Sequence, residues 1–172
     1  FGGKGIAVLS DEKLREEVDL VLREYLDSVM GTEKGKTARF MYLYRRTAGF
    51  ITRLLRRLGE EFLHSEFVPY AFEEPLGGDE IGYYRLETPD GKKITVEGTI
   101  DRIDVLDRNG ERYVRVVDYK TGAKDFALCD VYYGINIQML VYLFSIQAGG
   151  KGGLSKTVPS GVLYMPAKNT VI

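Results

Sequence analysis

The sequence predicts an α/β layered domain, a mixed sheet flanked by helices, with a helical region at its N-terminal end. Three observations predict it. The first 66 residues place apolar side chains at helical spacing. From Phe67 the pattern turns to short runs rich in β-branched and aromatic residues, separated by turn residues. After residue 130 an apolar helical run is followed by one more strand-like segment. Helices, then strands on short connections, then a helix and a strand fit a layered domain with a mixed sheet. We divide the chain into a helical region, 1–66, and a core, 67–172, which together form one domain.

The elements follow in order. Ser10 before Asp11 and Glu12 reads as an N-cap with a first turn suited to the helix dipole. Leu14, Val18, Val21, Leu22, Tyr25 and Val29 continue that helix and Gly31 ends it. "GTEKGK" is a loop. A long helix from about Thr37 to His64 carries an apolar stripe of Phe40, Leu43, Tyr44, Ile51, Leu54, Leu55, Leu58 and Phe62. His64 reads as a helix-end residue. "FVPYAFEEPL" is a strand, at an edge or near a strand start because of Pro69. "IGYYRLE", turned by "TPDGK", precedes a longer strand, "KITVEGTIDRIDVL", turned by "DRNGE" into "RYVRVVDYK". Connections this short predict antiparallel hairpins. "DVYYGINIQMLVYLFSIQ" is one helix with Asp130 as its N-cap, "AGGKGGLSKTVPSG" a Gly-rich loop, and "VLYMPA" the last strand.

Composition narrows the chemistry. The chain has 172 residues, enough for one domain with a core, and 44% hydrophobic with 28% charged residues is ordinary for a globular protein. No apolar run approaches the length that spans a bilayer, so no membrane partner is expected. The single cysteine, Cys129, excludes an internal disulfide and argues for a reducing compartment. At a helix start it reads as a small buried or half-buried residue. The single histidine, His64, excludes a multi-His zinc site. With no leader pattern, no initiator Met and an abrupt end, the sequence reads as an excised fragment of something longer.

A net charge of −1 does not by itself suggest nucleic acid. The distribution is more informative. From Lys34 to Gly59 there are eight basic residues and no acid: Lys34, Lys36, Arg39, Arg45, Arg46, Arg53, Arg56 and Arg57. Such a stripe can follow phosphates; it can equally be a solvated face or dock on an acidic partner.

The chemistry concentrates in two strands. Residues two apart share a face. In "RYVRVVDYK", Val114, Val116, Asp118 and Lys120 point one way and Tyr113, Arg115, Val117 and Tyr119 the other. Both faces are partly apolar, as in an inner strand. In "EGTIDRID", Glu97, Thr99, Asp101 and Ile103 share one face, and Arg102 and Asp104 the other. Asp101 and Asp104 therefore cannot serve one site. Glu97 lies roughly 13 Å from Asp101 along a strand, too far for a common metal. A tight hairpin can bring Asp101 beside Asp118, so that two carboxylates and Lys120 meet at one sheet edge. Two like charges held close call for a cation between them, and oxygen-only ligands favour a hard one such as Mg²⁺. The set suits metal-dependent phosphodiester hydrolysis. The structural alternative is an ion pair, Asp118–Lys120 or Asp101–Arg102.

"GTIDRID", "VVDYKTG" and "QMLVY" together resemble the RecB-type branch of the PD-(D/E)xK nuclease superfamily, closest to its AddB-type members from bacterial AddAB helicase–nucleases. "SEFVPYAFEEPLG" and "DVYYGINIQMLVYL" extend the resemblance over roughly residues 37–165. It implies the restriction-endonuclease-like fold and a bacterial, cytoplasmic deoxyribonuclease module acting in double-strand break repair. Residue by residue, it implies Asp101 and Asp118 as metal ligands, the Tyr119 carbonyl as a further ligand, and Lys120 as the catalytic lysine. Gln138 and Tyr142 match a Q-x-x-x-Y motif that positions DNA; their i, i+4 spacing also places them on one helix face with Ser145, which could simply bound the core. On that helix Ile137, Leu140, Val141 and Phe144 are assigned to the buried faces. Arg45, Arg46, Arg53, Arg56 and Arg57 are the candidate phosphate contacts. The implied cofactor is Mg²⁺, with Mn²⁺ as a substitute. The implied partners are DNA and an AddA-type helicase–nuclease subunit. An iron–sulfur cluster is expected only outside this sequence, since its four cysteines are absent. The family's upstream histidine or acid is not found before Phe67, and Glu73 is a weaker candidate for that ligand. Three further assignments stay open: the chemical role of Lys120, a non-catalytic scaffold of the same fold, and a stand-alone RecB-type exonuclease.

Overall fold

The computed structural model of the protein describes residues 3–31, 37–120 and 127–166. The chain forms two compact units, Phe1–Glu66 and Phe67–Ile172.

The first unit is helical. A short helix α1 (Gly3–Val8), which the sequence reading does not anticipate, precedes α2 (Asp11–Met30) and α3 (Ala38–Leu63). Ser10 caps α2 by accepting the Lys13 N–H, and Gly31, at φ 71°, ends it. Thr37 caps α3 by accepting the Phe40 N–H, and His64 closes it with its N–H directed at the Glu60 and Glu61 carbonyls. Leu14 and Val18 of α2 and Ala48, Leu58 and Phe62 of α3 are buried. Leu43, assigned to the apolar stripe of α3, is about half exposed. The expected loop "GTEKGK" falls largely outside the described residues.

The second unit is a mixed sheet packed by one helix, as the fold class predicts. Its strands are β1 (Val68–Pro75), β4 (Thr99–Arg108), β5 (Glu111–Lys120) and β6 (Val158–Pro166), in the order β1-β4-β5-β6. β1 and β5 run antiparallel to β4, and β6 runs parallel to β5. β1 is an edge strand, where Pro69 costs no ladder bond. Both edge strands have a register irregularity, between Pro69 and Ala71 in β1 and at Val114/Arg115 against β6.

The expected long strand "KITVEGTIDRIDVL" is two strands. β3 (Lys93–Val96) pairs with β2 (Tyr84–Glu87) in a separate two-stranded sheet, and β4 begins after Glu97 and Gly98. The chain leaves the ladder there because the Gly98 carbonyl accepts the Leu76 N–H. Glu97 therefore does not belong to the strand of Asp101.

The expected single helix after residue 130 is also divided. α4 (Leu128–Tyr132) is followed by turns at Gly134 and Asn136, both at positive φ, and α5 (Gln138–Gly149) starts anew. Asp130 is not an N-cap; it lies inside α4, and its Oδ2 accepts a hydrogen bond from Asn136 Nδ2 at 3.1 Å. Cys129 is exposed, not buried as expected. Part of the Gly-rich segment is structured, with a 3₁₀ turn at Gly152–Leu154 and β6 starting at Val158.

The core lies between one face of the sheet and α5. Ile103, Val105, Val114 and Val116 meet Met139, Tyr142, Leu143 and Ile146. The expected buried set of α5 is corrected here: Phe144 and Ile137 are exposed, while Tyr142 and Ser145 are buried. The helix is apolar nearly all round, so its pattern does not select a face. No helix among the described residues is long and apolar enough to cross a membrane.

Candidate active site

A two-residue turn sets the site. Asn109 and Gly110 both adopt positive φ, 55° and 80°, as a tight hairpin turn requires, and Arg108 pairs with Glu111. Every later pair then follows, through Asp104–Arg115 to Arg102–Val117. One step beyond the last pair, Asp101 comes opposite Asp118. Two carboxylates far apart in sequence thus meet at one end of the hairpin, on the sheet face that also bears Ile103 and Val116.

Asp101 Oδ2 accepts the backbone N–H of Tyr119 at 2.9 Å. Asp118 is 6% exposed and lies opposite Tyr164 of β6. Lys120 Nζ is 2.9 Å from Asp118 Oδ1 and 2.8 Å from Oδ2, so the ion pair weighed from the sequence is formed. Lys120 Nζ also lies 5.9 Å from the centre of the Tyr164 ring. The Asp118 hydrogen bond raises the Lys120 pKa against the opposing pull of desolvation, and Lys120 is a cation in this arrangement. Burial first, and Asp118 second, push the Tyr164 hydroxyl up.

The donor set fits a hard divalent cation. Asp118 Oδ2 is buried and has no hydrogen bond of proper geometry, only the Lys120 charge beside it. An oxygen of that kind is costly to bury unless a cation takes it up. Asp101 and Asp118 supply anionic oxygen, the donor type that Mg²⁺ selects. Among the described residues no three His, Cys, Asp or Glu side chains converge. Glu73 is exposed, at φ 50° on the edge strand.

Gln138 and Tyr142 are joined directly: Gln138 Nε2 donates to the Tyr142 hydroxyl at 2.9 Å. Gln138 opens α5 and is exposed, whereas Tyr142 is 7% exposed and belongs to the core. The Tyr142 ring rests on Gly98. A Cβ there would overlap the hydroxyl and come within 3.0 Å of two ring carbons. Gly98 and Asp101 are the first and last residues of "GTID", so the helix that carries Gln138 touches the segment that delivers Asp101. Sequence reasoning did not assign this contact. The only signal was a glycine interrupting a strand pattern.

It also missed a buried charged network on the opposite sheet face. Arg102 and Asp104 are fully buried, with Arg102 Nε 2.8 Å from Asp104 Oδ1 and Nη2 3.0 Å from Oδ2. Arg115 Nε and Nη2 are each 2.8 Å from Asp104 Oδ2. Arg102 Nη1 donates to the Tyr119 hydroxyl at 2.8 Å. Desolvation pulls the Arg102 pKa down, but Asp104 and Tyr119 outweigh it and the group stays charged. The signal was "RID", whose Arg102 and Asp104 share a face.

In the helical unit, five arginines lie on one side of α3. At 100° per residue, Arg45, Arg46, Arg53, Arg56 and Arg57 fall within an arc of about 120°, opposite the apolar stripe. Arg45, Arg46, Arg53 and Arg57 are exposed. Arg56 is tied inside this unit. Its guanidinium donates to the Leu9 carbonyl at 2.8 Å and to Asp11 Oδ1 at 2.5 Å.

A sequence profile of the PD-(D/E)XK nuclease superfamily matches residues 6–171. The chain is 31% identical over 165 residues to the B subunit of the ATP-dependent helicase/deoxyribonuclease of Caldanaerobacter subterraneus subsp. tengcongensis, covering 95% of this chain and 14% of that protein. It is 36% identical over 159 residues to the protein of the same name from Ruminiclostridium cellulolyticum, covering 91% and 14%. Against that of Symbiobacterium thermophilum it is 41% identical over 134 residues, covering 71% and 12%. The chain spans about one seventh of the length of these relatives.

Proposed function

The chain belongs to the PD-(D/E)XK nuclease superfamily, and on that premise we propose that it is a Mg²⁺-dependent deoxyribonuclease module of a helicase–nuclease subunit, with Mn²⁺ as a substitute. One observation carries the reading: the hairpin register sets Asp101 against Asp118 with Lys120 on the same face. Asp101, Asp118 and the Tyr119 carbonyl hold the metal. A metal bound there polarises a phosphoryl oxygen and lowers the pKa of a water. Lys120 supplies a positive charge where negative charge develops on the phosphate, the role its ion pair favours over that of a base. Gln138, exposed at the start of α5, contacts the DNA strand, and Tyr142 fixes its amide. Arg45, Arg46, Arg53 and Arg57 are proposed phosphate contacts of the helical unit.

The relatives' printed name supports placing the module in a bacterial, cytoplasmic helicase–nuclease that processes double-strand ends with an AddA-type partner. The two-carboxylate acid set favours one second reading, a non-catalytic scaffold of the same fold.

Calorimetric titration of Mn²⁺ separates them. Binding lost in Asp118→Ala and kept in Lys120→Ala, together with cleavage of single-stranded DNA lost in both, supports the enzyme. Absence of binding and cleavage in the wild type rejects it in favour of the scaffold.

A further inference from the structure

On the reading that Asp101 and Asp118 bind the metal, we propose that Arg102 and Tyr119 are positioning residues that set the spacing of these two carboxylates from the opposite face of the sheet. The backbone ladder between β4 and β5 stops at Arg102–Val117, one step short of both acids. Beyond it, β4 is tied to β1 through Ile100–Glu74 and Thr99–Pro75, and β5 to β6 as far as Lys120–Pro166. The acid-bearing ends of the two strands are joined to each other by two side-chain bonds, and both pass through Tyr119. Its N–H donates to Asp101 Oδ2 on the metal side. Its hydroxyl accepts from Arg102 Nη1 on the far side.

Alternation makes this possible. Tyr119 lies between Asp118 and Lys120, and Arg102 directly follows Asp101, so each points away from the site while its backbone carries the site. Arg102 is itself fixed, because Asp104 engages two of its nitrogens and is held in turn by Arg115 from the neighbouring strand. A buried ionic network adds little net stability over apolar side chains of the same volume. What it provides is direction: a planar guanidinium clamped by a carboxylate meets the tyrosine hydroxyl in one geometry. Outer groups that orient metal ligands in this way commonly alter metal affinity by about tenfold or more when removed.

The test uses two variants and no cleavage assay. Tyr119→Phe keeps the ring and the N–H and removes only the hydroxyl. Arg102→Met keeps the volume and leaves Asp104 its Arg115 partner. In metal-free protein, amide hydrogen exchange at residue 119 is expected to be about tenfold faster in Tyr119→Phe, with the thermal midpoint near that of the wild type. Mn²⁺ affinity measured by calorimetry is expected to fall about tenfold. Arg102→Met is expected to reproduce both changes where it folds. Wild-type exchange at residue 119 in Tyr119→Phe overturns the proposal, whatever Arg102→Met does. If the wild type takes up no Mn²⁺, the metal reading fails separately, and the exchange rate alone decides the role of Tyr119.

Discussion

Tyr142 of α5 packs its ring and hydroxyl directly onto Gly98, the residue at which the chain turns from the small sheet into the strand of Asp101. The backbone of Gly98 is not in the left-handed region, so an alanine there suffers no conformational penalty. Its only penalty is the methyl against the ring. Gly98→Ala is expected to destabilise the protein by about 1–3 kcal/mol, the usual cost of an overpacked core. In a Tyr142→Ala background the same change is expected to be nearly neutral. A denaturant double-mutant cycle measures the difference, and an equal effect in both backgrounds would contradict the contact.

Lys120 makes the stability of the protein sensitive to alkaline pH. Its hydrogen bond with Asp118 raises its folded-state pKa above the unfolded one, despite desolvation. A raised pKa gives stability that is complete below the ordinary lysine value, about 10.4, and is lost as pH rises through the higher folded value. The difference in thermal midpoint between wild type and Lys120→Met should therefore be constant at neutral pH and shrink above about pH 10.4. A difference that grows with pH in that range would contradict a raised lysine pKa.

Asp104 neutralises Arg102, which has no exposure to water. Asp104→Ala leaves that guanidinium buried without its carboxylate, and breaking a buried pair in this way costs about 3–5 kcal/mol. Urea unfolding of the variant should show a loss of this size. A loss below about 1 kcal/mol would mean that the Arg102–Asp104 pair bears little of the packing.

Arg45 and Arg46 test the phosphate contacts. Each charge that neutralises a single-strand phosphate contributes about 0.7 to the slope of log affinity against log salt. Replacing both with Gln should lower that slope by about 1.4, with little effect on the folding of α3, since both are exposed. An unchanged slope would leave this face without a nucleic-acid role. Arg56→Gln is instead expected to lower the stability of the helical unit, because Arg56 holds Leu9 and Asp11.

The legible part of the fold was local. Ser10, Thr37 and Gly31 marked helix ends correctly because capping depends on residues within one turn. "DRNGE" held the site, since an Asn-Gly turn fixes a register and counting from it brings Asp101 to Asp118. What failed depended on contacts distant in sequence. Nothing near Gly98 says that an aromatic ring occupies the space of its missing side chain, so the strand there read as continuous. The break before Gln138 was hidden in an apolar run, where Gly134 and Asn136 were the only local signs. The face of α5 was misjudged because almost any of its faces could have been buried. The Arg102–Asp104–Arg115 network was visible as a pattern of charges but not as a buried one, since charged residues ordinarily lie outside.

Four of the five prolines lie in the two edge strands, Pro69 and Pro75 in β1 and Pro159 and Pro166 in β6. Proline has no N–H to offer, and both edges are further disturbed by irregular register. An extended segment of another protein that sought to add itself as a fifth strand would find missing donors on either side. A larger assembly built around this sheet must therefore hold it through side chains and helices. Main-chain pairing is left to the four strands themselves, and the sheet stays closed to enlargement while its loop end remains open to a nucleic-acid strand.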